Sequence, residues 1–191
     1  MTLRLMTRHG TLPVGPTDGD EVRAFQSGDR TAFDRLVDRH QKSLLRLSLR
    51  LLGASEDARD LFQDVFLQVF RNLKDLEHPD AFRSWMYQIA IRMARKRRMR
   101  PRPVPAAETL ELLQAPTAMD AIERREDLDR LRTCLERLPG RQKEVVLLRN
   151  YEDLSFAEIG RILGISEEAA RANHYQGLRR LRGEFHMEES P

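Results

Sequence analysis

Residues Ser155 to Arg182 read Ser-Phe-Ala-Glu-Ile-Gly-Arg-Ile-Leu-Gly-Ile-Ser-Glu-Glu-Ala-Ala-Arg-Ala-Asn-His-Tyr-Gln-Gly-Leu-Arg-Arg-Leu-Arg. Ser155 and Glu158 make a Ser-x-x-Glu capping box, so a helix opens there with Phe156, Ile159 and Leu163 at helical spacing. Gly164 ends it. Ser166 caps a second helix, acidic at its start and carrying Arg179, Arg180 and Arg182 in its last turns, as the helix dipole favours. Two short helices around a glycine turn form a helix-turn-helix, whose second helix fits the DNA major groove. Arg171, Asn173, His174 and Gln176 are the side chains of the right type to reach base edges, whereas Arg179, Arg180 and Arg182 suit phosphates.

Working outward, the chain of 191 residues has room for one domain or two small ones. Charged residues make up 33% and aromatics 6%, a balance that suits small helical bundles. The net charge of +3 hides a segregation. Arg83 to Arg102 holds eight Arg or Lys and no acid, while Ala106 to Asp129 holds seven acids against two Arg. The first segment calls for an anionic partner and the second for a different role. No stretch approaches the apolar length of a membrane span, and Met1 to Gly19 has no long apolar run, so no membrane insertion is expected and the location is cytoplasmic. The one cysteine, Cys134, lies among Leu131, Leu135 and Leu138 at helical spacing and reads as a core thiol.

The expected order is all-α. Residues 1–19, rich in Gly and Pro, read as a disordered tail. A short helix follows from Asp20, then a long one from Thr31 to Leu52, stopped by Gly53. Ser55 caps a third helix with the stripe Ala58, Leu61, Phe62, Val65, Phe66, Val69 and Leu73. After a loop from Lys74 to Asp80, a fourth helix runs from about Ala81 to Met99, until Pro101, Pro103 and Pro105 forbid continuation. Residues 101–120 read as a flexible acidic tether. Helicity resumes from Ala121 to Leu138, breaks at Pro139, and continues from Arg141 to Asn150 with Val145, Val146 and Leu148 inward. The domains are therefore 20–100 and 121–186, with a short tail at 187–191.

Three features of the first domain carry chemistry. The run Arg92, Arg95, Lys96, Arg97 and Arg98 cannot pair internally, so phosphate neutralisation with counterion release is its natural use; an acidic protein surface is the competing partner. Phe82, Trp85 and Tyr87 interleave with Arg83, a composition suited to stacking unpaired bases, although Trp85 and Ile89 four apart also fit a core stripe. Asp57, Asp60 and Asp64, with Gln63 beside them, share one helix face. A divalent metal for phosphoryl chemistry would need more ligands than these carboxylates supply, and acids are expected at a helix start anyway, so a polar docking face is the better reading. His9, His40, His78, His174 and His186 have no metal-ligand spacing, no phosphate-binding glycine loop occurs, and neither an enzyme nor a cofactor is expected.

These pieces in this order resemble the bacterial RNA polymerase sigma factors, and the extracytoplasmic-function group among them. Asp57-Ala-Arg-Asp-Leu-Phe-Gln-Asp-Val-Phe-Leu is similar to the region 2 helix, and Phe82-Arg-Ser-Trp-Met-Tyr-Gln-Ile-Ala to the promoter-melting helix. Leu138-Pro-Gly-Arg-Gln-Lys-Glu-Val-Val-Leu-Leu-Arg and Leu154-Ser-Phe-Ala-Glu-Ile-Gly look like region 4. The resemblance implies a region 2 bundle and a region 4 helix-turn-helix domain, and a promoter-specificity subunit. Asp60, Gln63 and Asp64 would dock on the clamp helices of core RNA polymerase, and its flap would bind the C-terminal domain. Glu77, His78 and Asp80 would take a flipped base of the minus-10 element, with Trp85 beside them. Arg83, Arg92, Arg95, Lys96, Arg97 and Arg98 would hold the separated strand. Arg171, Asn173, His174, Tyr175, Gln176, Arg179 and Arg180 would read the minus-35 element in promoter DNA, and an anti-sigma factor is an implied further partner. The recognition helix departs from the family by opening with Ala169-Ala170-Arg171 where Thr-Val and a basic residue are usual. The competing reading is a free-standing helix-turn-helix regulator that binds duplex DNA as a dimer.

Overall fold

The computed structural model describes residues 15–53, 56–99 and 130–187, and every element found in them is helical. The expected cap at Ser55, the tether 101–120 and the stretch 121–129 lie outside the described residues, as do residues 1–14 and 188–191. In the N-terminal half, α1 (Asp18–Gln26) begins two residues before the expected start. Thr17 is the reason: its hydroxyl accepts from the Asp20 N–H while the Asp20 carboxylate accepts from the Thr17 N–H, a reciprocal cap. Helices α2 (Thr31–Leu52), α3 (Glu56–Asn72) and α4 (Phe82–Arg98) follow, with 3-10 turns at Leu73–Asp75 and Pro79–Ala81 between the last two.

Apolar residues at i, i+3, i+4 and i+7 turn one stripe of each helix inward. Leu36, Leu44 and Leu47 of α2, Leu61 and Val65 of α3, and Phe82, Met86 and Ala90 of α4 are fully buried together. Phe33 sits edge-on to Phe70 at 5.0 Å, and Phe25 to Phe70 at 5.6 Å, so an aromatic cluster fastens α1 to the far end of α3. Each such pair adds roughly 1 kcal/mol beyond its buried area.

The C-terminal half holds α5, described over residues 130–137, then α6 (Gly140–Asn150), α7 (Phe156–Leu163) and α8 (Glu167–Met187). Cys134 is buried there, as a core thiol would be. The α6 helix differs from its expected amphipathic form. Gln142, Lys143 and Glu144 are buried alongside Val145, Val146 and Leu148, because α8 covers one side, α2 approaches the other, and Arg95 and Arg98 of α4 reach Glu144. The capping box at Ser155 is present, and Gly164 adopts the left-handed conformation (φ 66°) that ends α7. Inside α7, a Cβ added at Gly160 would lie 2.7 Å from the Ile165 carbonyl oxygen, so only glycine lets the turn fold this tightly onto the helix.

The two halves meet along a seam in which α4 packs on α7 and α2 on α6. Lys143 of α6 donates to the Leu51 carbonyl at the C-terminal end of α2 (3.4 Å), where a helix dipole favours a cation. Arg50 stacks over the Tyr151 ring at 3.7 Å.

Candidate nucleic-acid interface

The carboxylate face of α3 has its counterion within the fold. Arg97, whose side chain is only 15% exposed, hydrogen-bonds Asp64 and lies 3.9 Å from both Asp57 and Asp60. One guanidinium thus balances three acids along the i, i+3, i+7 row, while Gln63 remains exposed beside them. Arg97 was expected to hold a DNA strand. Its side chain is directed instead at α3.

The segment between α3 and α4 is held by α1. Gln26 donates through its side-chain amide to the carbonyls of Leu73, Lys74 and Leu76 (3.3, 3.2 and 2.9 Å), and Arg23 grips both oxygens of Asp80 (2.8 and 2.7 Å). Nothing in the local sequence marks Gln26 or Arg23 for this work, since each is a polar residue on a short helix. The segment borders a cavity of about 470 Å³. Leu76, Glu77, His78 and Trp85 line it from the N-terminal half, and Arg161 and Ile162 of α7 from the C-terminal half. Trp85 is half-buried, with its ring 6.3 Å from that of Phe82, so it combines core packing with one side open to the cavity. This open hollow, with an aromatic wall and polar groups at its rim, has room for a planar base.

Along α4 the basic residues divide by direction. Arg92 and Lys96 are exposed. Arg95 makes a bidentate pair with Glu144 of α6 (2.9 and 2.6 Å), and Arg98 donates to the same carboxylate (2.8 Å). The bond to Glu144 is the main reason that Arg95 titrates above the ordinary guanidinium range. Near the start of α4, Arg83 donates to the Glu152 carbonyl and Tyr87 to the Glu152 carboxylate. Burial pushes the Glu152 carboxyl up despite the opposing effects of Tyr87, Arg83, Arg50 and Arg46, and burial likewise raises Tyr87.

On α8, the Ser166 hydroxyl accepts from the Ala169 N–H at 3.1 Å, as the sequence predicts for a cap. Arg171, Tyr175, Gln176, Arg179 and Arg180 are exposed along its outer side. Arg171 is preset there by Glu167 (2.8 Å) and by the Phe156 ring beneath it at 5.0 Å. Two neighbours are already bonded within the chain. Asn173 donates to the Ala169 carbonyl (2.7 Å), and His174 shares a hydrogen bond with Asn150 (2.8 Å) and meets Phe156 edge-on at 5.4 Å. Burial, with the nearby Arg149 charge, lowers the His174 pKa. Gln176 accepts from the Gln142 side chain at 3.1 Å but keeps an exposed position.

Comparison with known proteins follows the same two halves. The family model described as sigma-70 region 2 matches residues 36–102, and that described as sigma-70, region 4 matches residues 128–181. The chain is 30% identical over 165 residues to the ECF RNA polymerase sigma factor SigM of Mycobacterium tuberculosis, covering 86% of this chain and 83% of that one. It is 33% identical over 175 residues to the RNA polymerase sigma factor CarQ of Myxococcus xanthus, covering 87% and 98%. Among solved structures, CnrH in complex with the cytosolic domain of CnrY has the same fold, with a TM-score of 0.70 at 24% identity across 91% of this chain and 99% of that one.

Proposed function

The chain belongs to the extracytoplasmic-function sigma factors of bacterial RNA polymerase, and from that membership we propose which surfaces carry out promoter-directed initiation here. The protein binds core RNA polymerase and directs it to promoters. Polymerase supplies the bond-making chemistry and this chain supplies position, and a cytoplasmic location beside the polymerase is part of the proposal. Among the described residues no helix is long and apolar enough to cross a membrane. Residues 20–100 act as the minus-10 and polymerase-binding domain, residues 121–186 as the minus-35 domain, and 101–120 as the tether between them.

In this reading the α3 face of Asp60, Gln63 and Asp64 docks on the polymerase clamp helices. The cavity beside Glu77, His78 and Trp85 takes a flipped base, Asp80 fixes the loop through Arg23, and the α4 cations hold the displaced strand. Arg171, Tyr175 and Gln176 face minus-35 base edges from α8 while Arg179 and Arg180 hold phosphates; His174 sets the helix against α6 and α7, and Asn173 bonds back onto its own helix. The observation that carries the reading is the pairing on one chain of an outward arginine-bearing α8 with a basic α4 beside an aromatic-walled cavity, one suited to duplex and the other to unpaired DNA. The sigma factor RpoE of Bartonella quintana, which shares the fold, is seen in complex with the anti-sigma factor NepR; we extend such a partner to this chain as a proposal.

The test is affinity for core polymerase. Wild type binds, and Asp60→Ala with Asp64→Ala binds at least about tenfold more weakly with its helical content intact. Equal affinity removes the docking assignment.

A further inference from the structure

The loop between α3 and α4 is held by α1 at both of its ends. The chain leaves helical structure after the 3-10 turn Leu73–Asp75, so carbonyls at that end need donors from elsewhere. The Gln26 side-chain amide faces three of them, those of Leu73, Lys74 and Leu76, at 3.3, 3.2 and 2.9 Å. Gln26 is the last residue of α1, so the end of one helix caps the end of another. At the far end of the loop, Asp80 lies against the first turn of α1, and Arg23 grips both of its oxygens at 2.8 and 2.7 Å. Gly19 makes room for it, since a Cβ there would stand 2.0 Å from Asp80 Oδ1.

Between the Leu76 carbonyl and Asp80 lie only Glu77, His78 and Pro79. Pro79 fixes its own φ and restricts His78 before it, and the His78 carbonyl accepts from the Ala81 N–H at 2.9 Å. The Glu77 and His78 side chains stay exposed at the rim of the cavity beside Trp85. The α1 helix can serve as a fixed point because it is itself bonded to α2. Glu21, 2% exposed, accepts from Arg35 at 2.8 Å, and Asp18 pairs with Arg39 and His40 at 2.5 and 2.8 Å.

We propose that α1 sets the base discrimination of this loop, resting on the minus-10 role proposed above: Gln26, Arg23 and Gly19 are positioning residues that hold Glu77 and His78 in one presentation, and Asp80 acts through Arg23 instead of on the base. A loop held before the base arrives loses little freedom on binding, and groups kept in place reject a wrong base to which mobile groups would adapt. Released from α1, the loop still meets a strand but no longer favours one base. A helix that touches no DNA thus governs selectivity more than affinity.

The experiment uses the full chain assembled on core RNA polymerase and a pool of single-stranded oligonucleotides with a randomised stretch. Bound strands are sequenced, with core polymerase alone as background. Wild type enriches one base at one position. Gln26→Met keeps the side-chain length and removes the donors, and should lower that enrichment about tenfold while average affinity for the pool stays unchanged. Arg23→Ala and Asp80→Ala, both at exposed positions, should each lower it about threefold, and the double variant by no more than either, because the two residues act as one unit. Gly19→Ala adds a methyl group that a helix favours and that meets the end of the Asp80 side chain, so it should match Asp80→Ala with thermal stability undiminished.

Enrichment that survives in folded Gln26→Met and Gly19→Ala overturns the positioning role of α1 alone. An equal loss of affinity for every strand in the pool overturns it too, as it would mark a general loss of structure. Losses from Arg23→Ala and Asp80→Ala that add would make Asp80 a base contact. Wild type that enriches no base overturns the minus-10 role of the loop itself, and the role of α1 with it.

Discussion

Arg97 of α4 hydrogen-bonds Asp64 of α3, so a residue from the basic run completes the acidic face of another helix. Its side chain is 15% exposed against 46% for Asp64, so the cation is the buried member, and removing it leaves three acids facing one another. Arg97→Ala should lower unfolding stability by about 1 kcal/mol, the upper part of the range for partly exposed pairs. Urea denaturation reads this. An unchanged midpoint with unchanged slope shows that Arg97 bears no such weight.

Gly160→Ala should be costlier. The added Cβ meets backbone, the Ile165 carbonyl at 2.7 Å, which cannot swing aside like a side chain. Overpacking of this kind costs about 1 to 3 kcal/mol and displaces α7 against α8. Thermal unfolding should shift down and duplex binding weaken together. Full duplex affinity would show that the turn absorbs a methyl group.

Glu158 ties stability to pH. The hydrogen bond from Ser155 is the largest cause that holds its carboxyl below the ordinary value of 4.5, against opposing burial. A depressed folded pKa means that the stabilisation is complete above the unfolded value and is lost as pH falls through the folded one. Ser155→Ala should therefore cost about 1 kcal/mol near neutrality. The difference from wild type should shrink as pH drops below 4.5. A gap that stays constant down to strongly acidic pH would place the effect elsewhere than in the ionised cap.

Arg171 separates base reading from phosphate holding. It is exposed, yet preset by Glu167 and Phe156. Arg171→Ala should cost about 1 to 3 kcal/mol at one base pair of the minus-35 site and relax preference there. Binding assays on single-substitution duplexes measure this, and an equal loss on every sequence would make Arg171 a phosphate contact.

The helix-turn-helix was legible because its signals are local: Ser155 with Glu158, Gly164, and Ser166 each act within four residues. The α3 and α4 stripes were legible for the same reason, as period 3.6 is written in consecutive residues. The seam was not. Glu144 and Arg95 are 49 residues apart and Glu152 and Tyr87 are 65 apart, and a carboxylate on a helix reads as solvated unless its distant partner is known. The buried run from Gln142 to Glu144 shows the same limit, because only tertiary packing tells a covered polar face from an open one. In the proposed interface, residue type suggested Asn173 and His174 as base readers; their orientation toward Ala169 and Asn150 depends on side-chain geometry that periodicity does not carry.

The most direct test of the account is transcription in vitro with core RNA polymerase on a genomic promoter library, with and without this protein. The account predicts discrete transcripts that start from a common pair of upstream elements only when the protein is present. Initiation no higher and no more selective than that of core polymerase alone would contradict it.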